Sequence, residues 1–207
     1  MKEIRLCDNG ELSKVLPLCI ENNLGIEVQA FADSNLIDTN ISNQLLGAYK
    51  EKLQNYEGGK SLHAPFKDLC LASQNLLYRE YAMKNFNYAY QVAKELGCTE
   101  IVIHNGYATN TSFHEGWIRR SKEFWQEFFK DKNDSIKIML ENQNEESAYL
   151  IKNIIDEVNN PRLKVCLDIG HAHANSNMSV EEWIKILGDR IGYLHLHNNH
   201  YYYQKQM

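Results

Sequence analysis

The chain of 207 residues lacks the features that mark several large classes of protein. No apolar run approaches the ~20 residues needed to cross a bilayer, and the first residues, MKEIRLCDNGEL, lack the basic and then apolar pattern of a signal peptide. The five cysteines are odd in number, widely scattered and without a CxxC pair, which is typical of reduced and mostly buried thiols. We therefore expect a cytoplasmic protein without a membrane partner.

The chain also has fewer basic than acidic residues. The chain has 22 Lys and Arg residues against 27 Asp and Glu residues, and its formal net charge is −5. This balance gives no general attraction to a phosphate backbone, although it does not exclude a local basic patch. We therefore expect a small molecule as the partner before nucleic acid. No Pro/Gly-rich linker or low-complexity tract divides the chain. With 43% hydrophobic residues it can bury one sizeable core, so we expect a single domain over residues 1–207.

Strand-like and helix-like segments alternate along almost the whole chain. Seven apolar strand candidates cover residues 2–7, 25–31, 60–66, 100–106, 136–143, 163–171 and 191–199. Six helix candidates lie between them, at about residues 11–23, 43–56, 76–96, 115–130, 146–158 and 179–187. Gly97 is placed to end one helix, and Ser179 with Glu182 has the spacing of a capping box at the start of another. This alternation is typical of an α/β protein built on a parallel sheet.

The number of strands falls short of a closed barrel. A (β/α) barrel has eight strands and eight helices in about 250 residues, whereas this sequence offers seven strands and six helices. The last residues, HYYYQKQM, carry neither a helix of useful length nor an eighth strand. We therefore predict an incomplete (β/α) TIM barrel whose last βα unit is missing, and we interpret the chain as a truncated or frame-shifted version of a longer protein.

Residues that can bind a metal end three successive strand candidates. Glu141, Asp168 and His195 are each separated from the next by 27 residues, which is about one strand, one helix and two loops. The carboxyl ends of such strands meet at one mouth of a barrel, where active sites are built. Any one of these carboxylates could instead cap a helix or accept loop N–H groups. Two carboxylates and an imidazole together suit a divalent cation, so we expect Mn²⁺, Mg²⁺, Co²⁺ or Zn²⁺ on these three residues.

Histidines accumulate at the same predicted mouth. His63 and His104 lie at the ends of the third and fourth strands, and His171 lies just past the sixth. His197 follows His195 by two residues and so shares its strand face. A solitary histidine is more often a core or loop residue than a ligand. The shared position nevertheless predicts that His63, His104, His171 and His197 contact a substrate.

Other residues have competing interpretations. Glu27 is expected near the mouth of the second strand, where it either hydrogen-bonds to a metal ligand or forms a plain buried ion pair. Cys166 lies inside an apolar strand and is predicted to be core, without a redox or metal role. Five aromatic residues recur at helical spacing and are also predicted to be core: Trp117, Phe124, Trp125, Phe128 and Phe129.

The segments that carry the site residues resemble the xylose-isomerase-like barrel superfamily, which includes sugar-phosphate isomerases, ketose 3-epimerases and the apurinic-site endonuclease IV family. They run in family order over nearly the whole chain: LHAPFKDL (62–69), IVIHNGY (101–107), IMLENQ (138–143), VCLDIGHAH (165–173) and YLHLHNN (193–199). The epimerase-like pattern implies that Glu141, Asp168 and His195 bind one divalent metal and that His171 contacts a substrate hydroxyl or carbonyl. A second glutamate, from the eighth strand, normally completes the metal site and the acid/base pair, and this sequence has no position for it.

The resemblance implies a metal-dependent sugar or sugar-phosphate isomerase or epimerase that transfers a proton next to a carbonyl through an enediolate. Glu141 and His171 are the expected catalytic residues, with Glu141 both binding the metal and carrying a proton. We expect the short chain to be impaired relative to a longer parent. His63 and His104 also match extra ligand positions of the endonuclease-like members, which keeps a zinc phosphodiesterase acting on abasic DNA as an alternative. A non-catalytic remnant of such an enzyme is a further alternative. The sequence also leaves open whether the chain assembles into a homo-oligomer.

Overall fold

Parallel strands and helices alternate along the chain in a computed structural model that describes residues 3–37, 39–109 and 113–196. The strands are β1 (Arg5–Cys7), β2 (Gly25–Val28), β3 (Lys60–His63), β4 (Glu100–His104), β5 (Lys137–Glu141), β6 (Leu163–Asp168) and β7 (Ile191–His195). The helices are α1 (Leu12–Glu21), α2 (Asn40–Leu53), α3 (Leu76–Leu96), α4 (His114–Phe129), α5 (Ala148–Val158), α6 (Ile169–Asn175) and α7 (Val180–Leu187). Within these described ranges, no helix is both long and apolar enough to cross a membrane.

The seven strands form one parallel sheet in which each strand pairs with the next in sequence, from β1 to β7. Tyr193 on β7 reaches across the inside of this sheet, because its hydroxyl lies 3.0 Å from Ser61 Oγ on β3 and 2.9 Å from Glu27 Oε2 on β2. In a flat sheet β2 and β7 would lie more than ~20 Å apart at the usual strand spacing, so the sheet is strongly curled. The predicted (β/α) barrel architecture is therefore confirmed, with seven strands among the described residues.

Alternate residues of each strand face opposite sides of the curled sheet. The outer side packs on the helices in the main core, and its buried strand residues include Ile26, Val28, Leu62, Ile101, Ile103, Ile138, Leu140, Val165 and Leu167. The five aromatic residues predicted to be core are all buried in the same cluster. The inner side carries a small apolar layer of Val102, Met139 and Cys166, so the prediction that Cys166 is buried is confirmed. Toward the carboxyl ends of the strands, the inner side carries ionisable side chains.

Helix boundaries follow the capping chemistry. Gly97 ends α3 with a left-handed φ of 70°, and Ser179 and Glu182 form the predicted capping box at the start of α7. Helix α2 begins earlier than predicted, because Thr39 Oγ1 accepts a hydrogen bond from the N–H of Ser42 at 3.1 Å and so acts as its cap.

The helix α6 is not among the six predicted helices. It occupies the end of the segment 163–171, in which the sequence predicts the sixth strand with His171 just past its end. Strand β6 in fact ends at Asp168, whose Oδ1 accepts the N–H of His171 at 2.7 Å and so caps the first turn of α6. His171 therefore lies just past the strand, as expected, but on a short helix that the sequence does not predict.

Candidate metal centre

Glu141, Asp168 and His195 lie together at the mouth formed by the ends of β5, β6 and β7. His195 Nδ1 is 2.9 Å from Glu141 Oε1 and 3.9 Å from Asp168 Oδ2. Asp168 and His195 are register partners across β6 and β7, which explains why residues far apart in sequence become neighbours. Both carboxylates are buried, whereas the imidazole of His195 is 19% exposed. The structure thus brings the three predicted metal ligands to one place.

Two histidines approach the other oxygen of Glu141. His104 Nε2 lies 2.9 Å and His63 Nε2 lies 3.3 Å from Glu141 Oε2. Both histidines are buried, and their ring centroids lie 5.1 Å apart in an edge-to-face arrangement. His104 faces Glu141 because the two residues are register partners across β4 and β5. His63 and His104, which are predicted to contact a substrate, therefore lie on the floor of the site against Glu141, a predicted metal ligand.

His171 enters the site from α6. Its Nε2 lies 3.9 Å from Asp168 Oδ2, and its ring centroid lies 6.1 Å from that of His104. The side chain is 29% exposed, so it stands at the open side of the cluster while Asp168 is buried beneath it. His197, which the sequence predicts to contact a substrate, lies outside the described residues.

Electrostatic interactions within the cluster shift the pKa values of Glu141, His104 and His195. Burial by itself would raise the pKa of Glu141, but the neighbouring histidines, His104 above all, hold the pKa of this carboxyl well below its usual range. Burial opposes the charged form of His104, yet Glu141 raises its pKa. Burial opposes the charged form of His195 as well, but hydrogen bonds to Cys166, Glu141 and Glu27 raise its pKa. Glu141 therefore favours the charged forms of His104 and His195, and these histidines favour the charged form of Glu141.

The donor atoms of this cluster fit a divalent cation. Glu141 Oε2 and His104 Nε2 are buried and form an ion pair at 2.9 Å, but this contact lacks the geometry of a hydrogen bond. Buried polar atoms of this kind are costly unless a partner satisfies them. Among the described residues, ligand atoms lie within 4.8 Å of one another in three groups: His63, His104 and Glu141; Glu141, Cys166 and His195; and Glu141, Asp168 and His171. Carboxylate oxygens and imidazole nitrogens suit Zn²⁺, Co²⁺ or Mn²⁺, and Glu141 belongs to every group.

Asn142 fixes the end of β6 against the end of β5. Its Oδ1 accepts the N–H of Asp168 at 2.9 Å, and its Nδ2 donates to the carbonyl of Asp168 at 3.0 Å. The side-chain amide thus continues the strand pairing beyond the last backbone partners of β5 and β6, Glu141 and Cys166. As a result, Asp168 and the start of α6 are held in place relative to Glu141.

Two residues near the centre, Tyr193 and Glu145, are not assigned a functional role by the sequence. Tyr193 donates to Glu27, which also reaches His195 Nε2 at 3.1 Å. The alternation of residues along β7 places Tyr193 on the same face as His195, so this signal is present in the sequence. Glu145 is buried in the loop after β5, and burial raises its pKa to about 7. No periodic pattern marks Glu145, because it lies outside the regular elements.

Ligand-type side chains at the carboxyl ends of consecutive parallel strands define an α/β barrel protein with its candidate site at the mouth of the sheet. The family model described as xylose isomerase-like TIM barrel matches residues 24–204, and the chain belongs to this family. The resemblance drawn from the sequence is therefore confirmed.

A protein of Methanocaldococcus jannaschii that is itself uncharacterised is 28% identical over 152 residues, which cover 72% of this chain and 59% of the relative. The chain thus spans a little more than half the length of that relative. Among solved structures, a D-tagatose 3-epimerase-like protein is similar with a TM-score of 0.75 and 22% identity, over 96% of this chain and 77% of the other. A Thermus thermophilus protein soaked with ZnCl₂ is similar with a TM-score of 0.74 and 20% identity, over 95% of this chain and 77% of the other. At these identities the likeness shows the fold.

Proposed function

We propose that the chain belongs to a metal-dependent isomerase or epimerase of sugars or sugar phosphates, which transfers a proton next to a carbonyl group. The observation that carries this proposal is the meeting of two buried carboxylates and an imidazole, since Glu141 and Asp168 both lie within 3.9 Å of His195 Nδ1. The similarity of the fold to a D-tagatose 3-epimerase-like protein supports a sugar as the substrate. A cation on these residues is further supported by the similar structure obtained by soaking with ZnCl₂.

Two side chains would carry the proton chemistry. A divalent ion held by Glu141, Asp168 and His195 would supply Lewis-acid polarisation of a substrate carbonyl and the adjacent hydroxyl. Glu141 is ionised and buried at the floor of the site, where a carboxylate can accept a proton from the substrate carbon and return it. His171 stands at the open side, where its ring can donate a hydrogen bond to a substrate oxygen as charge develops in the enediolate.

Exchange of solvent deuterium into substrate tests this proposal. The purified chain is stripped with a chelator, reloaded with Mn²⁺, Co²⁺, Mg²⁺ or Zn²⁺, and incubated in D₂O with ketoses, free and phosphorylated. We expect deuterium next to the carbonyl only after reloading, and none with Glu141→Gln. Glu123→Gln is the matched control, because this side chain on α4 is 63% exposed, and it should exchange like the parent. A chain that takes up metal yet exchanges no ketose would count against the isomerase proposal.

A second candidate function rests on the group formed by His63, His104 and Glu141. This group offers ligands for an additional cation next to the first, and pairs of cations are typical of metal-dependent phosphodiesterases. The net charge of −5 weakens the attraction for DNA, which is why we place this candidate second.

Cleavage of an abasic-site duplex by the zinc-loaded chain, measured together with the number of bound ions, separates the two candidates. Nicking without ketose exchange would replace the isomerase proposal. Ketose exchange with one bound ion and no nicking would reject the phosphodiesterase. A chain with neither activity and no stoichiometric metal would favour the non-catalytic remnant.

A further inference from the structure

The two ring nitrogens of His195 face different partners. Nδ1 lies on the side of the predicted metal ligands, 2.9 Å from Glu141 Oε1 and 3.9 Å from Asp168 Oδ2. Nε2 lies 3.1 Å from Glu27 Oε2. Glu27 therefore contacts the nitrogen that is turned away from the other two carboxylates, and it is placed to orient the ring without competing for a cation.

Glu27 is itself held from behind. It lies on β2, across the curled sheet from β7, and it is 5% exposed. The hydroxyl of Tyr193 donates to the same Oε2 at 2.9 Å and lies 3.0 Å from Ser61 Oγ. The guanidinium of Arg5 lies 5.6 Å from the centroid of the Tyr193 ring, so the phenol is packed on its other side as well. This chain of contacts fixes where the Glu27 carboxylate lies relative to His195.

We propose that Glu27 is a positioning residue of the metal centre: it holds His195 through Nε2 so that Nδ1 faces the cation, and Tyr193 holds Glu27 in turn. This inference rests on the proposed metal centre and adds two residues to it. A histidine that binds a cation through Nδ1 carries its proton on Nε2. A carboxylate that accepts this N–H fixes the tautomer and makes the imidazole a stronger ligand.

The competing interpretation is a buried ion pair that supports only the fold. Under that interpretation, removing the charge of Glu27 lowers stability but leaves the affinity for metal and the geometry of the bound ion as they are. Under the positioning role, both the affinity and the geometry change. Co²⁺ is a suitable probe because its visible absorption spectrum reports the arrangement of its ligands, which a change in stability alone does not move.

The chain offers matched controls at a buried site of the same chemistry. The hydroxyl of Tyr49 donates to Asp8 Oδ2 at 2.7 Å, and both side chains are buried. Asp8→Asn and Tyr49→Phe therefore repeat the two changes, Glu27→Gln and Tyr193→Phe, at a second carboxylate and phenol pair. Asp8 donates its main-chain N–H to the carbonyl of Glu27 at 3.0 Å, and Asp8→Asn keeps this bond.

The affinity for Co²⁺ is measured by competition with a chromogenic chelator, alongside the visible spectrum and the thermal unfolding of the metal-free protein. We expect Glu27→Gln to weaken Co²⁺ binding by about 10- to 100-fold and to alter the spectrum. Tyr193→Phe should weaken binding less and shift the spectrum in the same direction. Asp8→Asn and Tyr49→Phe should lower the unfolding midpoint and leave affinity and spectrum unchanged.

Parental affinity and spectrum in both Glu27→Gln and Tyr193→Phe, with loss of binding in Glu141→Gln, would overturn the positioning role and leave the metal centre intact. A parent chain that binds no Co²⁺ would overturn the metal centre itself. Should Glu27→Gln fail to fold, Tyr193→Phe decides the matter, because it keeps the carboxylate and removes only the phenol hydroxyl that holds it.

Discussion

At the scale of single residues, Glu141 is the side chain on which the candidate centre depends. Its Oε1 lies 2.9 Å from His195 Nδ1, while its Oε2 lies 2.9 Å from His104 and 3.3 Å from His63. A carboxylate with this arrangement can hold one cation and exchange a proton, or bridge two cations. The His195 side serves both candidate functions, whereas the side of His63 and His104 has a metal-binding use only in the phosphodiesterase.

Glu145 offers a test of the electrostatics at the floor of the site. Its carboxyl is buried, and its Oε2 accepts the N–H of Gln143 at 2.7 Å. Burial raises its pKa from 4.5 to about 7, although the N–H of Gln143 acts in the opposite direction. Because the folded chain favours the protonated form, the stability that this group contributes is complete below pH 4.5 and is lost as the pH rises through about 7.

We predict that Glu145→Gln increases the free energy of unfolding of the metal-free chain by about 3 kcal/mol at about pH 8 and by little at about pH 4. Glutamine stays neutral and can still accept the N–H of Gln143, so only the cost of burying charge is removed. Urea unfolding at the two pH values measures the difference, and Glu146→Gln is the control because that side chain is 38% exposed. An equal effect at both pH values would contradict the burial of a titrating carboxyl.

The candidate ligands could be predicted from the sequence because each ends an apolar strand whose pattern is readable. A hydrogen bond from Glu27 to a metal ligand is one of the two alternatives that the sequence leaves open, but its partners Tyr193 and His195 could not be identified, because they depend on how far the sheet curls to bring β2 opposite β7. Neither strand encodes that curvature in its own residues. The role of His197 stays a prediction, since this residue lies outside the described ranges.

At the scale of elements, the alternation of strands and helices predicted every helix except α6. Helix α6 has seven residues, which is too short for helical periodicity to be visible, and Ile169 continues the apolar run of β6. Only the residue type of Asp168, a common helix cap, indicates that the strand stops there. The position of His171 on a helix therefore follows from a cap and not from a hydrophobic pattern.

The loop after β4 depends on a glycine. Gly106 has a φ of 67°, and a Cβ at this position would lie 2.0 Å from the carbonyl oxygen of Leu69. Gly10 has a similar φ of 80°, but a Cβ there would meet nothing within 4 Å. A side chain is strained at both positions because of the left-handed backbone, and only at Gly106 does it also collide with the main chain.

We predict that Gly10→Ala lowers the free energy of unfolding by about 1 kcal/mol and that Gly106→Ala lowers it by more than about 2 kcal/mol. The difference between the two variants isolates the collision with Leu69. Because Gly106 follows His104 by two residues, Gly106→Ala should also weaken metal binding, whereas Gly10→Ala should not. Urea unfolding and Co²⁺ titration provide the measurements, and equal losses of stability would mean that the Leu69 loop moves aside at no cost.

At the scale of the whole molecule, the candidate centre joins the ends of five neighbouring strands. Its residues come from β3, β4, β5, β6 and β7: His63, His104, Glu141, Asp168 and His195. An ion held by Glu141, Asp168 and His195, which lie on three separate strands, is bound by the folded chain and not by the unfolded one. Such a ligand stabilises the fold by about 2.7 kcal/mol when its free concentration is 100 times the Kd.

We predict that Mn²⁺ raises the midpoint of thermal unfolding in proportion to the logarithm of its concentration, and that a chelator reverses the rise. Mn²⁺ is chosen because it has little preference for the thiols that unfolding exposes. Glu141→Gln should abolish the rise, whereas Glu123→Gln should keep it. A midpoint of thermal unfolding that does not change when Mn²⁺, Co²⁺ or Zn²⁺ is added would contradict the metal centre.

Asp168 divides its two oxygens between separate duties. Its Oδ2 faces His195 and His171, while its Oδ1 caps the first turn of α6. Asp168→Ala would therefore remove the candidate metal ligand and the cap of α6 together. An inactive Asp168→Ala variant could be explained by either loss. Asp168→Asn keeps an acceptor for the N–H of His171 and removes the negative charge. Comparing the two substitutions therefore separates the effect of the lost ligand charge from the effect of the lost helix cap.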